Sequence, residues 1–267
     1  MESHLYLTYR RAECAVFLKT AEIFGGLSNM AGGYPLSING IRILTSEALY
    51  QACRFPHLPD VQKLIIGQAS PMTAKMKSKP HRKDSRPDWD MVREGIMRWC
   101  LHVKLVQHWE NFGDLLLSTG DRPIVEESYR DPFWGAKPIN AETLQGANML
   151  GRLLVELREQ LRDPDVHKLW SVEPPSLPQF LLLERQIGVI EGSKRKFRSI
   201  GIPEDLKFTS TEELILETDR TDGANIKDSN QTNPEQSLQT SSMIASSETP
   251  SISAQDRPPS QMPLWSE

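Results

Sequence analysis

The stretch from Asp88 to His108 constrains the fold more than any other part of the chain. Val92, Ile96, Trp99, Cys100, Val103 and Val106 recur there at steps of three and four residues, the spacing of a helix with one buried face. The rest of the chain must supply a core for that face. At 100° per residue Lys104 falls beside Cys100, which sets a lysine at the margin of the buried stripe.

Shorter elements surround this helix. YPLSINGIRIL reads as two short strands joined by Asn39-Gly40, a dipeptide that tolerates positive φ at both central positions of a type I′ turn. Thr45 or Ser46 caps the helix that follows, with Glu47, Tyr50 and Gln51 on its first two turns. Further helices are expected over Asp60 to Ile66, from the Ser70-Pro71 start through Met76, ending at Leu117, and from about Ala147 to Leu161. Gly151 would weaken the last of these unless something packs closely against it. Ile124-Val125-Glu126 is a short strand, while KSKPHRKDSRP and DPFWGAKPINAETLQG read as loops. The fold class is α+β, mostly helical with a few short strands.

Composition divides the chain. Apolar residues are dense up to about Phe208; from Thr209 to Glu267 Ser, Thr, Gln, Asn, Asp and Pro dominate, a composition that buries too little surface to offset ordering entropy. The expected organisation is a main domain over 1–164, an extension packed on it over 165–208, and a disordered acidic tail over 209–267. Lys and Arg against Asp and Glu number 21 to 20 over residues 1–165 and 3 to 10 over 209–267, so the main domain has no global basic field. Cys14, Cys53 and Cys100 are odd in number and widely spaced, which fits neither a disulfide framework nor a zinc site. A reducing compartment, no leader and no membrane span are expected, hence a cytoplasmic protein.

The common catalytic and nucleotide-binding signatures GxGxxG, GxxxxGK[ST], GxSxG, HExxH and CxxC are absent. Polar residues set in apolar or turn-forming sequence remain: Asn29, Glu47, Lys104, Glu126, Asp131, Trp134 and Asn148. Each has an ordinary structural explanation. A first-turn acid favours the helix dipole, an Asp before Pro makes an Asx turn, and a lysine at a stripe margin snorkels. The loop holding Lys75, Lys77, Lys79, Arg82, Lys83 and Arg86 has only Asp84 against it and could meet several phosphates, or simply be solvated.

Taken together, GGLSNMA, TSEALYQA, SPMTAKMK, DWDMVREGIMRWCLHVKL, IVEESYRDPFWG and LQGANMLGRLLVELR resemble the NADAR family in order and spacing, from about Phe17 to Leu161. The resemblance implies a small α+β N-glycosidase acting on ribose-phosphate or ADP-ribose compounds, needing no metal or other cofactor. It implies that Glu47 is an acid or base, that Lys104 is a nucleophile forming a Schiff-base adduct, and that Asp131, Trp134 and Gly135 line the sugar pocket. Glu126 would support that pocket, and Asn29, Gly146 and Asn148 would shape the ribose or phosphate surroundings. Direct attack of water between two carboxylates is the alternative route. Met30 and Leu105 replace aromatics of many members, which bears on pocket shape. The spelling LSNMAGGYPL, EALYQACRFP and SPMTAKMKSKP looks like the branch found beside DNA ADP-ribosyltransferase toxins. That implies ADP-ribosylated DNA as substrate, met by Lys75, Lys77, Lys79, Arg82 and Lys83, and a cognate transferase toxin as partner. A riboflavin-pathway aminopyrimidine ribose phosphate, or ADP-ribose bound without turnover, are the other readings.

Overall fold

A computed structural model describes residues 6–192 of the protein. The chain divides into compact units Met1–Phe208 and Thr209–Glu267; the described residues lie in the first, and the expected acidic tail lies outside them.

The elements follow in order β1 (Leu7–Arg10), β2 (Ala15–Phe17), β3 (Leu36–Ile38), β4 (Ile41–Ile43), α1 (Ser46–Ala52), α2 (Pro59–Ile66), α3 (Pro71–Ser78), α4 (Trp89–Gln107), α5 (Trp109–Leu117), β5 (Ile124–Glu126), β6 (Lys137–Pro138), β7 (Thr143–Gly146) and α6 (Met149–Arg162). The fold is α+β. At its centre is α4, which packs against α1, α5 and α6 and wholly buries Ile96, Cys100, Leu101 and Val103. Each such aliphatic side chain contributes roughly 1.5–3 kcal/mol relative to exposure.

Local chemistry sets the elements next to α4. Asn39 and Gly40 sit at φ 52° and 79°, closing the antiparallel β3–β4 hairpin with Ile38 opposite Ile41. Thr45 caps α1, its hydroxyl accepting from the Ala48 N–H at 3.2 Å. Gly151 has the close partner its position calls for: a Cβ there would stand 2.0 Å from the Ile124 carbonyl oxygen. With no side chain at that point, α6 lies directly on the end of β5.

Two segments read as loops are structured. KSKPHRKDSRP contains the end of α3 and a 3-10 helix over Lys79–Asp84, because proline at its second position is compatible with a helical start. DPFWGAKPINAETLQG contains β6 and β7, and β7 pairs antiparallel with β1, Leu7 facing Gly146. The parallel pair β2–β5 sets Phe17 beside Glu126 and so fixes where that carboxylate stands.

Residues beyond α6 continue through β8 (Ser171–Val172), β9 (Leu181–Leu182), β10 (Arg185–Gln186) and β11 (Ile190–Glu191). Phe180 meets Trp99 of α4 edge-on at 5.0 Å, and Leu182, Ile187 and Ile190 join the same core. Gln62 ties them to α2's neighbours, donating to the Ala52 and Leu181 carbonyls and accepting from the Leu183 N–H.

Candidate active site

Three helices present one face each to a common cavity of about 890 Å³. Glu47, Tyr50, Gln51 and Arg54 come from α1 and the residues just after it; Met72, Lys75, Met76 and Lys79 come from α3 and its end; Trp89, Arg93 and Met97 come from α4. Each set follows the three- and four-residue steps that bring side chains onto one side of a helix. The end of β5 and the turn after it complete the wall with Glu126, Ser128, Asp131 and Trp134.

Glu47 is almost fully buried, and its carboxylate accepts from Asn29 Nδ2 at 2.7 Å and Gln51 Nε2 at 2.9 Å. Gln51 Oε1 in turn accepts from the Ser78 hydroxyl at 2.8 Å, which links α1 to α3. A carboxylate takes only donors, so Asn29 must face it with Nδ2, and its Oδ1 is left buried without a hydrogen-bond partner. A buried acceptor in a cavity wall suits a ligand hydroxyl. Backbone bonds hold the pair together as well, since the Glu47 N–H and the Ser46 hydroxyl both donate to the Asn29 carbonyl.

Glu126 is the second carboxylate. Burial raises its pKa to about 7, with Glu47 and Asp131 adding to the rise and Lys75 opposing it. Its position is fixed from behind: the Glu126 N–H donates to Asn148 Oδ1 at 3.1 Å, and Asn148 Nδ2 donates to the Ile124 carbonyl at 2.8 Å. Asn148 itself is buried in a left-handed conformation at the start of α6 and does not line the cavity. Gly135 and Gly146 also lie behind the wall. A Cβ on Gly135 would meet the Glu126 carbonyl oxygen at 2.5 Å, and one on Gly146 the Gly135 carbonyl oxygen at 2.4 Å. These three residues therefore bear on the site by allowing close backbone packing, not by touching what the cavity holds.

Asp131 and Trp134 are both in the wall. Asp131 Oδ1 accepts from the Phe133 and Trp134 N–H groups, an Asx turn that aims the aromatic, and Trp134 stands edge-on to Tyr50 at 5.7 Å. The basic segment divides: Lys75, Lys79 and Arg82 line the cavity, whereas Lys77 and Lys83 are exposed elsewhere, and Arg86 is buried in an ion pair with Asp88.

Lys104 is not at the margin of the buried stripe but has no exposed surface at all. Its Nζ donates to the Gly26 carbonyl at 2.6 Å and the Ser28 carbonyl at 3.1 Å, and lies 4.3 Å and 4.4 Å from the ring centres of Tyr34 and Phe112. Burial pushes its pKa down to about 7; the two carbonyls and two ring faces are what favour a proton there. The cavity reaches along α4 only as far as Met97, two turns or about 10 Å short of Lys104.

Sequence reasoning passed over Arg54, Arg93 and Trp89, all in the cavity wall. The signal was present in their spacing: Arg54 stands seven residues after Glu47, and Arg93 four before Met97. Among the described residues, no group of three or more His, Cys, Asp or Glu side chains could hold a metal ion, and no helix is long and apolar enough to cross a membrane.

A mixed helix-and-strand domain with several carboxylates and several cations facing one cavity has the make-up of a site for a charged ligand. The NADAR domain model matches residues 16–162, so the chain belongs to the NADAR domain family. It is similar to the N-glycosidase YbiA of Escherichia coli, 36% identical over 145 residues that make up 54% of this chain and 86% of the relative. An N-glycosidase of Nostoc punctiforme is 33% identical over 55% of this chain and 92% of its own length. A riboflavin biosynthesis protein of Vibrio vulnificus is 31% identical over 67% of this chain and 47% of its own. The NMR structure of the E. coli protein YbiA superposes with a TM-score of 0.49 at 33% identity, covering 60% of this chain and 93% of that one.

Proposed function

We propose that this chain is an N-glycosidase that removes ADP-ribose from ADP-ribosylated guanine in DNA, reversing the work of a DNA ADP-ribosyltransferase toxin. The observation that carries the reading is the make-up of the cavity. Glu47 and Glu126, with Asp90, Glu127 and Asp131, share it with six cations, Arg54, Lys75, Lys79, Arg82, Arg93 and Arg130. One ribose phosphate needs one or two cations; a diphosphate together with a DNA strand can use them all. The volume, about 890 Å³, lies in the upper part of the roughly 300–1,000 Å³ range of ligand pockets. The N-glycosidases of E. coli and N. punctiforme support the type of bond cleaved, and the toxin-associated spelling of the motifs supports the substrate.

In this reading Glu126, with its pKa near 7, gives a proton to the departing base nitrogen as the C–N bond breaks. Of the two cavity amines, Lys75 and Lys79, Lys75 is the one whose charge acts on Glu126, and it attacks the anomeric carbon while passing a proton to Glu47. The second proton of the amine moves to the ring oxygen as the C1–O bond of the ribose opens, which leaves a Schiff base; water then adds to the C=N bond, and collapse of the adduct frees the sugar aldehyde and restores the amine. Asn29 receives a ribose hydroxyl on Oδ1, and Asp131 and Trp134 bound the sugar. Lys104 is a positioning residue that holds the Gly26–Ser28 turn under Asn29.

Incubation with an ADP-ribosylated guanine oligonucleotide is expected to release ADP-ribose. Cleavage of a riboflavin-pathway aminopyrimidine ribose phosphate without that release would favour the second reading, which the V. vulnificus relative suggests. Tight binding of the modified oligonucleotide with no turnover would instead mark an ADP-ribose reader.

A further inference from the structure

Two arginines in the cavity wall are held in a way that solvated arginines are not. Arg93 lays its guanidinium over the Phe133 ring at 3.9 Å, and its Nε is buried without a hydrogen-bond partner. Its nearest carboxylate is the highly exposed Asp90, 3.8 Å away, too far for a hydrogen bond. Arg54 lies over the Trp89 ring at 4.8 Å and donates through Nε to the Ser85 hydroxyl at 2.6 Å. That same hydroxyl donates to the carbonyl of Arg82, so one serine fixes Arg54 relative to the turn that carries Arg82. No carboxylate bonds to the terminal nitrogens of Arg54 among the described residues.

Burial disfavours the charge of Arg54, and repulsion from Arg82 and Arg93 adds to it; with Arg130, four guanidinium groups line the one cavity. Stacking on a ring fixes the plane of the guanidinium and leaves its edge donors pointing outward, the geometry that meets phosphate oxygens in pairs. The complement to such donors is an anion with several acceptor oxygens. Asn29, Glu47 and Glu126 belong to a different chemistry, with a hydroxyl acceptor and carboxylates that repel such an anion.

We infer that Arg54, Arg82 and Arg93 form a diphosphate-binding wall, which orients a nucleotide ligand with its phosphates on the arginines and its ribose over Asn29 and Glu47. The inference deepens the proposed function and rests on it only for which sugar follows the phosphates; the anion site itself is a property of the three arginines. It shifts the phosphate contacts from the exposed Lys77 and Lys83 to arginines held on Trp89 and Phe133.

The test is calorimetric binding of inorganic pyrophosphate and of ADP-ribose to the full chain and to Arg54→Gln and Arg93→Gln. Each substitution is expected to weaken both ligands at least about tenfold, the loss typical of one charge-assisted contact. Arg93→Lys, which keeps the charge and loses the planar fork, should fall between wild type and Arg93→Gln. Lys63→Gln, an exposed charge on α2 away from the cavity, is expected to bind as wild type, and unchanged melting temperatures verify folding. Wild-type affinity in both arginine variants, or no pyrophosphate binding by the wild-type chain, overturns the inference. Weakened pyrophosphate binding in variants of a chain that releases no ADP-ribose from DNA leaves the anion site standing and removes the proposed substrate.

Discussion

Lys104 keeps its Nζ on two backbone carbonyls between two aromatic faces, with no surface exposed; Lys75, on α3, is exposed and opens onto the cavity near Glu126. The first has the lowered pKa that a nucleophilic amine needs, and the second has the access. Reactivity requires both a free electron pair and a path to the electrophile, and no substrate carbon reaches an amine enclosed on every side. A lowered lysine pKa is therefore weaker evidence for a catalytic role than an open position, because burial alone produces it.

The sharpest way to break this comparison is covalent trapping. Borohydride reduction during turnover, followed by peptide mapping, is expected to mark Lys75, and Lys75→Ala should lose the adduct together with at least about a hundredfold in rate. Its stability should stay within about 0.5 kcal/mol of wild type, as for other exposed substitutions. An adduct mapped to Lys104 would reverse the two assignments and require the Gly26–Ser28 turn to open.

Stability gives the next largest contrast. Lys104→Met removes the side-chain donor that the Gly26 and Ser28 carbonyls share, in an enclosed turn that cannot readily recruit water. The Ser28 carbonyl keeps the Ala31 N–H at 3.1 Å and the Gly26 carbonyl loses its donor, so we expect a loss of about 1–3 kcal/mol, read as a fall of roughly 2–12 °C in melting temperature. A wild-type melting temperature would show that the buried amine holds nothing in place.

The same contrast explains what could be read from sequence. Periodicity gives the angle of a residue around a helix, and it correctly set Trp99, Cys100 and Val103 on the buried side of α4. It does not tell how far along that side a cavity extends, so Lys104 was read at the margin when it lies two turns beyond Met97. Hairpin and capping chemistry was legible because Asn39-Gly40 and Thr45 act on neighbours a few residues away. The β1–β7 pairing was not, since Leu7 meets Gly146 across most of the domain and four-residue strands carry little pattern of their own. Glu47, Glu126, Asp131 and Trp134 were picked out as polar or aromatic residues in unusual settings, and they meet in one cavity. Arg54 and Arg93 are in register with Glu47 and Met97, but that spacing does not say which face of an element meets a cavity, so a charged side chain there reads the same whether it faces water or a ring.

The smallest effect at any one step is in the pH dependence of stability, read per pH unit. Lys104 has a folded pKa of about 7 against 10.5 for an ordinary lysine, so between those values the unfolded chain binds more protons and stability rises with pH. Glu126, raised to about 7 from 4.5, acts in the opposite sense: the folded chain binds more protons between 4.5 and 7, and stability falls across that window. Within its window each group changes stability by at most about 1.4 kcal/mol per pH unit. Urea midpoints should therefore pass through a minimum near neutrality. Lys104→Met should flatten the alkaline rise and leave the acid limb, while Glu126→Gln should flatten the acid limb and leave the rise. Parallel wild-type and Lys104→Met profiles from pH 7 to 10 would mean that the carbonyls and rings hold the proton firmly enough to cancel the effect of burial, and Lys104 would then be a permanent ammonium.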